Sequence, residues 1–365
     1  MHIKTRNVNT AFKTLVEGLH QGTIPTYVCN SRAGEVAMVE EPVIVTYANP
    51  TERVLFNAAR DANPFFHLYE SLWMLAGRND VAPLAYYNSR MPEFSDDGKT
   101  FNGAYGERWR SGLSYKPMMD RPITERYFDL EPVDQLKLLI SHLHRKPESR
   151  RAVLQMWTVE DDLLRIDSSK DVCCNTACYF SLERTDTEGA RQFLNMTVCN
   201  RSNDLIWGML GANAVHFSVL QEYIAAHLGV GVGVYNQFTN NLHYYTERWE
   251  PEKWLAYDSN LDERLEYLPA CTIVPLVEDP DTFDGELLAF VERHQRDALA
   301  TLYQEPFLMT VAQPMCIAYH YYKRGDLDSA LIVMGGVEAD DWRVAGEQWL
   351  ERRREKRVQA RTSQR

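Results

Sequence analysis

No stretch of this chain stays apolar for the roughly 18 residues that a membrane-spanning helix needs, so no membrane partner is expected. The opening residues, Met1-His2-Ile3-Lys4-Thr5-Arg6-Asn7, lack the apolar centre of a secretory leader. Paired Cys-x-x-Cys motifs are missing, and the seven cysteines are an odd number. That argues against a disulfide framework or a zinc site, and for reduced thiols in a cytoplasm-like compartment; no metal is expected. Positive charge is in deficit, with 39 Lys and Arg against 51 Asp and Glu and a net charge of −12. A general nucleic-acid binder is thereby disfavoured, and any basic cluster must act locally. Internal repeats and Pro-, Gly- or Ser-rich linkers are also missing, which excludes a solenoid or a tethered array. The 365 residues, 45% hydrophobic and 11% aromatic, suffice for a sizeable buried core.

The patterning is mixed. Residues 8–22 place Val8, Phe12, Leu15, Val16 and Leu19 on one helical face, and 132–144 are similarly amphipathic. An apolar helix over 64–77 stops at Gly77, and a long buried helix runs from Asn213 to Leu228. Residues 41–47, 150–158, 176–183, 192–199 and 232–239 have the β-branched or alternating character of strands. Asp186 and Gly189 between two of these predict an antiparallel hairpin. From about residue 284 to 355 the pattern is helical, ending in Arg352-Arg353-Arg354 and Lys356-Arg357. Most such basic tails are frayed helix ends. The expectation is an α+β fold: one domain over 1–283 and a helical extension with a basic tail over 284–365.

The chemistry-bearing residues follow one thiol. Cys174 opens Cys-Asn-Thr-Ala-Cys-Tyr-Phe, and downstream stand Arg201-Ser202-Asn203-Asp204, Asn213 and His243-Tyr244-Tyr245. Taken alone, Cys173, Cys174 and Cys178 fit three small core residues, since free cysteine is among the most buried types. Each of Arg32, Arg150, Arg151 and Arg201 singly fits a surface ion pair. Together they offer a soft nucleophile, forked donors for a phosphate dianion, and a carboxamide and phenol for a polar heterocycle.

In order and spacing these segments resemble the thymidylate synthase superfamily, over roughly residues 8–270. Glu70-Ser-Leu-Trp73-Met-Leu-Ala-Gly77 is similar to the family's glutamate helix, and Tyr105-Gly-Glu-Arg-Trp-Arg110 to its Tyr-Gly-x-x-Trp-Arg motif. The resemblance implies an α+β thymidylate synthase-like fold, with a mixed or antiparallel sheet and flanking helices. It implies that Cys174 adds to C6 of a pyrimidine deoxynucleoside monophosphate. Position C5 then accepts a one-carbon unit from 5,10-methylenetetrahydrofolate. By the same resemblance Glu70 organises proton transfer, Tyr105 belongs to the catalytic set, and Arg32, Arg150, Arg151, Arg201 and Ser202 form the phosphate cage. Asn213 faces the base, His243 and Tyr245 hold the sugar hydroxyl, and Asp204 and Trp73 meet the folate. The paired Arg150-Arg151 implies a homodimer with shared sites, and the whole implies a cytoplasmic enzyme, of a host cytoplasm if carried by a phage.

The chain departs from the family in places that bear on the product. Asn175 follows the nucleophile where the family has histidine, Tyr179 replaces a glutamine, and Asn241 an aspartate. The loop before Asn213 carries one extra residue, and no tryptophan lies between Tyr86 and Gly103. The family's short C-terminal lid is not recognisable. A wetter pocket favours water over hydride at the exocyclic methylene. The expected activity is therefore dUMP 5-hydroxymethylation. A thymidylate synthase with Phe94 or Phe101 in place of the tryptophans, a dCMP hydroxymethylase, and an inactive nucleotide-binding relative stay open. A cysteine hydrolase using Cys174 and His243 would leave the arginines unexplained.

Overall fold

The computed structural model describes residues 1–112, 114–115, 131–183, 192–258, 267, 271–293 and 301–363. Its strands are β1 (His2–Thr5), β2 (Thr26–Ser31), β3 (Gly34–Val39), β4 (Val43–Tyr47), β5 (Ser114–Tyr115), β6 (Glu131–Pro132), β7 (Val153–Gln155), β8 (Asn175–Leu182), β9 (Phe193–Asn200), β10 (Asn203–Asp204), β11 (Gly231–Thr239) and β12 (Leu242–Tyr245). Its helices are α1 (Val8–His20), α2 (Pro64–Leu75), α3 (Val81–Tyr87), α4 (Tyr105–Arg110), α5 (Gln135–Arg145), α6 (Asn213–Leu228), α7 (Pro251–Asp258), α8 (Pro280–Arg293), α9 (Gln313–Lys323), α10 (Leu327–Met334) and α11 (Asp340–Ser363). Six strands form one mixed sheet in the order β1-β4-β11-β9-β8-β7. A second sheet has the order β10-β12-β3-β2, and β5 pairs with β6. The α+β expectation therefore holds.

Alternation decides which sheet face is covered. In β8, Cys178 and Phe180 point inward while Tyr179 and Ser181 face out. Helix α6 lies on β9 and β11, and α2 lies against α6. The apolar helix expected from Asn213 to Leu228 has those bounds. Helix α2 starts at Pro64 behind an Asn63 cap, whose side chain accepts the Phe66 N–H at 3.2 Å. It ends in a Schellman turn: the Gly77 N–H donates to Met74 O (2.9 Å) and the Arg78 N–H to Trp73 O (3.2 Å).

Strand β7 is shorter than the expected 150–158. Met156 N–H and Trp157 N–H both donate to Thr176 O, so two residues oppose one and regular pairing stops. The 176–183 and 192–199 runs pair antiparallel as β8 and β9, Phe180 opposite Met196. Asp186 and Gly189 of the turn between them lie outside the described residues. The extra residue before Asn213 is taken up by a wide π-type turn over Leu205–Ala212, which Asp204 caps.

The basic tail is not a frayed end. Arg352 Nε donates to Asp61 Oδ1 at 3.0 Å, Arg353 binds the same oxygen, and Lys356 Nζ lies 3.5 Å from Asp61 Oδ2. Trp349 of α11 meets Phe65 of α2 edge-on, ring centres 5.5 Å apart, and Tyr319 of α9 lies 4.7 Å from Tyr87. One continuous cluster of buried side chains includes Phe65 and Tyr87 with Tyr319, Trp349 and Leu350.

Gly106 sets how closely α4 approaches α2. A Cβ at this position would overlap the Met74 backbone, which no rotamer change relieves. Gly106→Ala is expected to destabilise by about 3 kcal/mol or more and to displace Tyr105, read as a lower denaturant midpoint together with lost turnover.

Candidate active site

A cavity of about 480 Å³ opens between the β2–β3 hairpin, the Cys174 loop and the β12 strand. Arg32, Tyr105, Cys174, Ser202, Asp204, Asn213, His243 and Tyr245 all line it. Eight of the residues expected from the sequence are thus brought together from widely separated segments. Arg201 borders it, its Nη2 3.6 Å from Cys174 Sγ. Arg150 and Arg151 are not there: both are exposed at the start of the edge strand β7.

Cys174 precedes β8, where the pairing with β9 slips between Asn175 and Ala177. Such an irregularity turns the thiol off the sheet. The Cys174 N–H and Asn175 N–H both donate to Tyr105 Oη, at 3.3 and 3.4 Å. Tyr105 therefore positions the Cys174 loop, and burial holds its phenol far above its ordinary pKa, so it stays protonated. Burial likewise pushes the Cys174 thiol up, opposed by the Arg201 and Arg32 guanidiniums. Arg201 is braced by Cys173 O (2.8 Å) and Val172 O (2.9 Å), and its guanidinium lies 5.6 Å from the centre of the Trp157 ring. Arg32 reaches Ser169 O at 3.3 Å and Lys170 O at 2.9 Å.

Asn213, at the first turn of α6, sits in a chain of buried amides. Its Nδ2 donates to Asn203 Oδ1 (3.0 Å), Asn203 Nδ2 donates to Gln237 Oε1 (2.7 Å), and Gln237 Nε2 donates to Met209 O (3.2 Å). One amide hydrogen is fixed on Asn203, and Oδ1 accepts from Asn175 Nδ2 at 3.5 Å, so the other hydrogen and the second Oδ1 lone pair are a donor and an acceptor for a ligand edge.

A second cavity, about 640 Å³, adjoins the first through Asp204 and Tyr245. Asp204 Oδ1 caps the Ile206 and Trp207 N–H groups at 2.8 and 2.6 Å, while its Oδ2 is buried without a hydrogen-bond partner among the described residues. Burial raises this carboxyl, with the two capping amides, His243 and Arg60 pulling the other way. Arg60 and Arg248 stand 5.6 and 5.4 Å from the Trp207 ring centre. Phe94 and Phe66 supply apolar wall, and Trp349 and Arg353 bring α11 to the rim. A smaller cavity of about 220 Å³ carries Glu70, Trp73, Phe94, Phe101, Tyr105, Asn213 and His216. Trp73 Nε1 is already engaged with Asp80 Oδ1 at 3.0 Å, which leaves its ring as wall.

Arg60, Trp207, His216, Arg248, Trp349 and Arg353 were not foreseen. Trp207 and His216 flank residues already singled out, three positions beyond Asp204 and Asn213, so helical spacing could have found them. The α11 residues carried no local signal.

Asp61 fastens α11 to this rim. Its φ of 58° is the one positive φ outside glycine among the described residues. Burial would raise its carboxyl, but Arg353 and Arg352 outweigh it and hold the group below the ordinary carboxylate range. The stabilisation is therefore present above about pH 4 and lost as pH falls through the depressed pKa. Asp61→Asn keeps the left-handed backbone accessible but removes the charge. It is expected to weaken α11 docking by about 1–3 kcal/mol, seen as faster amide exchange in 340–356 at pH 7, with a difference from wild type that shrinks as pH falls below the ordinary carboxylate range.

A thiol, forked cations and a fixed carboxamide in one cavity, joined to an apolar and cationic second cavity, define a two-substrate transferase that works on an anionic heterocycle. The chain belongs to the thymidylate synthase family, whose model matches residues 58–282. It is 42% identical to the deoxyuridylate hydroxymethyltransferase of Pseudomonas phage M6 over 363 residues, spanning 96% of this chain and 94% of that protein. Similarity to the deoxyuridylate hydroxymethyltransferase of Bacillus phage SP01 is 40% over 206 residues, 56% of this chain and 50% of that one. The thymidylate synthase of Streptococcus suis is 32% identical over 130 residues, 35% of this chain and 44% of that protein. Among the described residues no helix is long and apolar enough to cross a membrane, and no group of three His, Cys, Asp or Glu side chains could hold a metal.

Proposed function

We propose that this chain is a deoxyuridylate hydroxymethyltransferase. Cys174 adds to C6 of dUMP, C5 takes a one-carbon unit, and water completes the product as 5-hydroxymethyl-dUMP. The observation that carries the reading is Cys174 in one cavity with Arg32, Asn213, His243 and Tyr245, with Arg201 bordering it 3.6 Å from the thiol. The near full-length likeness to a phage deoxyuridylate hydroxymethyltransferase supports the choice of product.

Arg201, Arg32 and Ser202 bind the phosphate, and His243 and Tyr245 the sugar. Asn213 faces the base. Its free N–H suits the O4 of uracil and its Oδ1 the N3–H, whereas cytosine offers an amino donor and a bare nitrogen. 5,10-Methylenetetrahydrofolate supplies the one-carbon unit when bound. The residues present fit it: Asp204 Oδ2 is an unpaired acceptor for a pterin N–H, Phe94, Trp73 and Trp207 are flat or apolar walls, and Arg60, Arg248 and Arg353 suit its carboxylates. Arg150 and Arg151 complete the phosphate cage of a partner subunit in a homodimer. We assign 1–283 to the catalytic unit and 284–365 to an extension that walls the folate side. Seven free thiols suit the reducing cytoplasm of a host cell.

The test is product analysis. Incubation with dUMP and 5,10-methylenetetrahydrofolate is expected to give 5-hydroxymethyl-dUMP by mass spectrometry and tetrahydrofolate, with no rise in dihydrofolate absorbance. Stoichiometric dihydrofolate with dTMP as sole product would make the chain a thymidylate synthase. Asn213→Asp is expected to shift preference towards dCMP by about 10-fold or more, because a protonated carboxyl can donate to the bare ring nitrogen. Equal use of dCMP by the unaltered protein would reject the uracil assignment.

A further inference from the structure

Beyond the nucleophile, the water must be delivered to one face of one carbon. We propose that His216 is a positioning residue for that step: it fixes Glu70 so that the carboxylate holds and deprotonates the water adding to the exocyclic methylene. The inference rests on the hydroxymethylase reading above.

Three observations carry it. His216 lies three residues after Asn213 on α6, so both side chains project from one face of the helix, and both line the 220 Å³ cavity. Glu70 approaches from α2, and its Oε2 is 3.0 Å from His216 Nε2. The imidazole is 5% exposed, and its Nε2 lies off the hydrogen-bond line to the carboxylate, without a hydrogen-bond partner among the described residues. A buried ring nitrogen this close to a carboxylate but unsatisfied by it is suited to share a water with it.

The surroundings favour this role over a plain ion pair. Trp73, Phe94 and Phe101 make much of the wall apolar, so water in the cavity gathers at its polar groups, the Glu70–His216 pair among them. His67, one turn before Glu70, has its ring centre 6.5 Å from that of His216. Burial, with Arg60 and His216 adding, keeps His67 neutral, so it places no further positive charge against the pair. Tyr105 and Asp171 also face this cavity. The first is a fixed phenol beneath the nucleophile loop, and the second accepts the Gly103 N–H at 2.8 Å. Among the described residues neither is hydrogen-bonded to Glu70.

The step balances without a redox partner. The water oxygen bonds to the methylene carbon and gives its proton to Glu70. The methylene electron pair moves into the C5–C4 enolate. Collapse of the enolate restores the C5–C6 double bond and breaks the C6–S bond. Sulfur leaves with that electron pair and recovers the proton. The net change is addition of water to the methylene and return of the free Cys174 thiol.

The experiment is a competition for the methylene between water and an added thiol. Wild type, His216→Gln and His216→Asn are incubated with dUMP, 5,10-methylenetetrahydrofolate and excess 2-mercaptoethanol, and the nucleotides are separated by mass. Both variants are expected to bind dUMP within about twofold of wild type. Formation of 5-hydroxymethyl-dUMP should fall by about 10² with a matching rise in the thioether nucleotide. An unchanged ratio of hydroxymethyl to thioether product would overturn the inference whatever the total rate, because a structural defect slows both captures alike. Folded variants that bind both substrates but give neither product would also overturn it, since His216 would then act before the methylene forms. If one variant fails to fold, the other and Glu70→Gln, which removes the base itself, read the same ratio. The prior reading fails separately: it is lost only if the wild type itself yields dTMP and dihydrofolate.

Discussion

Cys174→Ser is expected to bind dUMP nearly as well as wild type and to turn it over about 10⁴-fold more slowly or worse. In the proposed site the phosphate, sugar and base contacts come from other residues, so affinity is expected to survive. Turnover does not, because a serine hydroxyl is neither as nucleophilic towards C6 nor as good a leaving group from it. The same argument predicts which thiols do not matter. Cys173, 1% exposed, points at Gly103 O, and burial pushes its thiol much further up than its ordinary value. Cys178 is fully enclosed beneath β8. Cys173→Ser and Cys178→Ser should keep substantial activity. Burial raises the Cys174 thiol, so the thiolate fraction at pH 7 is small in the free enzyme and grows as pH rises. Alkylation of Cys174 by iodoacetamide should therefore accelerate above pH 9. Arg201→Ala should move that rise to still higher pH, since the opposing guanidinium is gone. Intact-protein mass after exposure to 5-fluoro-dUMP and 5,10-methylenetetrahydrofolate checks the assignment. A covalent adduct that persists in Cys174→Ser and vanishes in Cys173→Ser would move the nucleophile by one residue.

What was legible in the sequence, and what was not, follows from the range of the interactions. Cys174, Ser202, Asp204, Asn213, His243 and Tyr245 stand at the ends of β8, β10, α6 and β12 or beside them, and local spacing carries each. The helix over Asn213–Leu228 was legible because its residues are apolar on nearly every face. The β2–β3 hairpin was not, because Tyr27 and Val28 are exposed and break the alternation that marks a strand. The role of the C-terminal segment was invisible for a different reason. Its basic run looks like solvated surface until Asp61, 291 residues upstream of Arg352, supplies the counter-charge. Likewise Trp349 becomes cavity wall only once Phe65 and Tyr319 seat it. The Glu70–His216 pair joins two helices whose partnership depends on the packing of α2 on α6, and neither helix announces the other.

Arg151→Ala is expected to cripple the active site of the neighbouring subunit. Within one chain the phosphate side of the cavity has Arg32 and Arg201, and both guanidiniums are partly occupied by backbone carbonyls. A phosphate dianion calls for more donors than these leave free. Arg150 and Arg151 stand exposed at the head of β7, on the edge of the six-stranded sheet. Beside them Val153, 44% exposed, pairs in register with Tyr179, 49% exposed, on the uncovered face of that sheet. Apolar side chains on an open face next to unused cations suit a two-fold contact that carries the arginines into a second copy's cavity. Losing one charge-assisted contact of about 1.5–3 kcal/mol corresponds to a fall of about 10- to 150-fold in kcat/KM for dUMP. Mixing distinguishes this from ordinary damage. A Cys174→Ser subunit still lends Arg151 to its partner, and an Arg151→Ala subunit still has its own thiol. Each mixed dimer therefore contains one intact site, and random exchange should restore about a quarter of the wild-type sites. Verified mixed dimers that stay inactive would place Arg151 in its own subunit's site or in none.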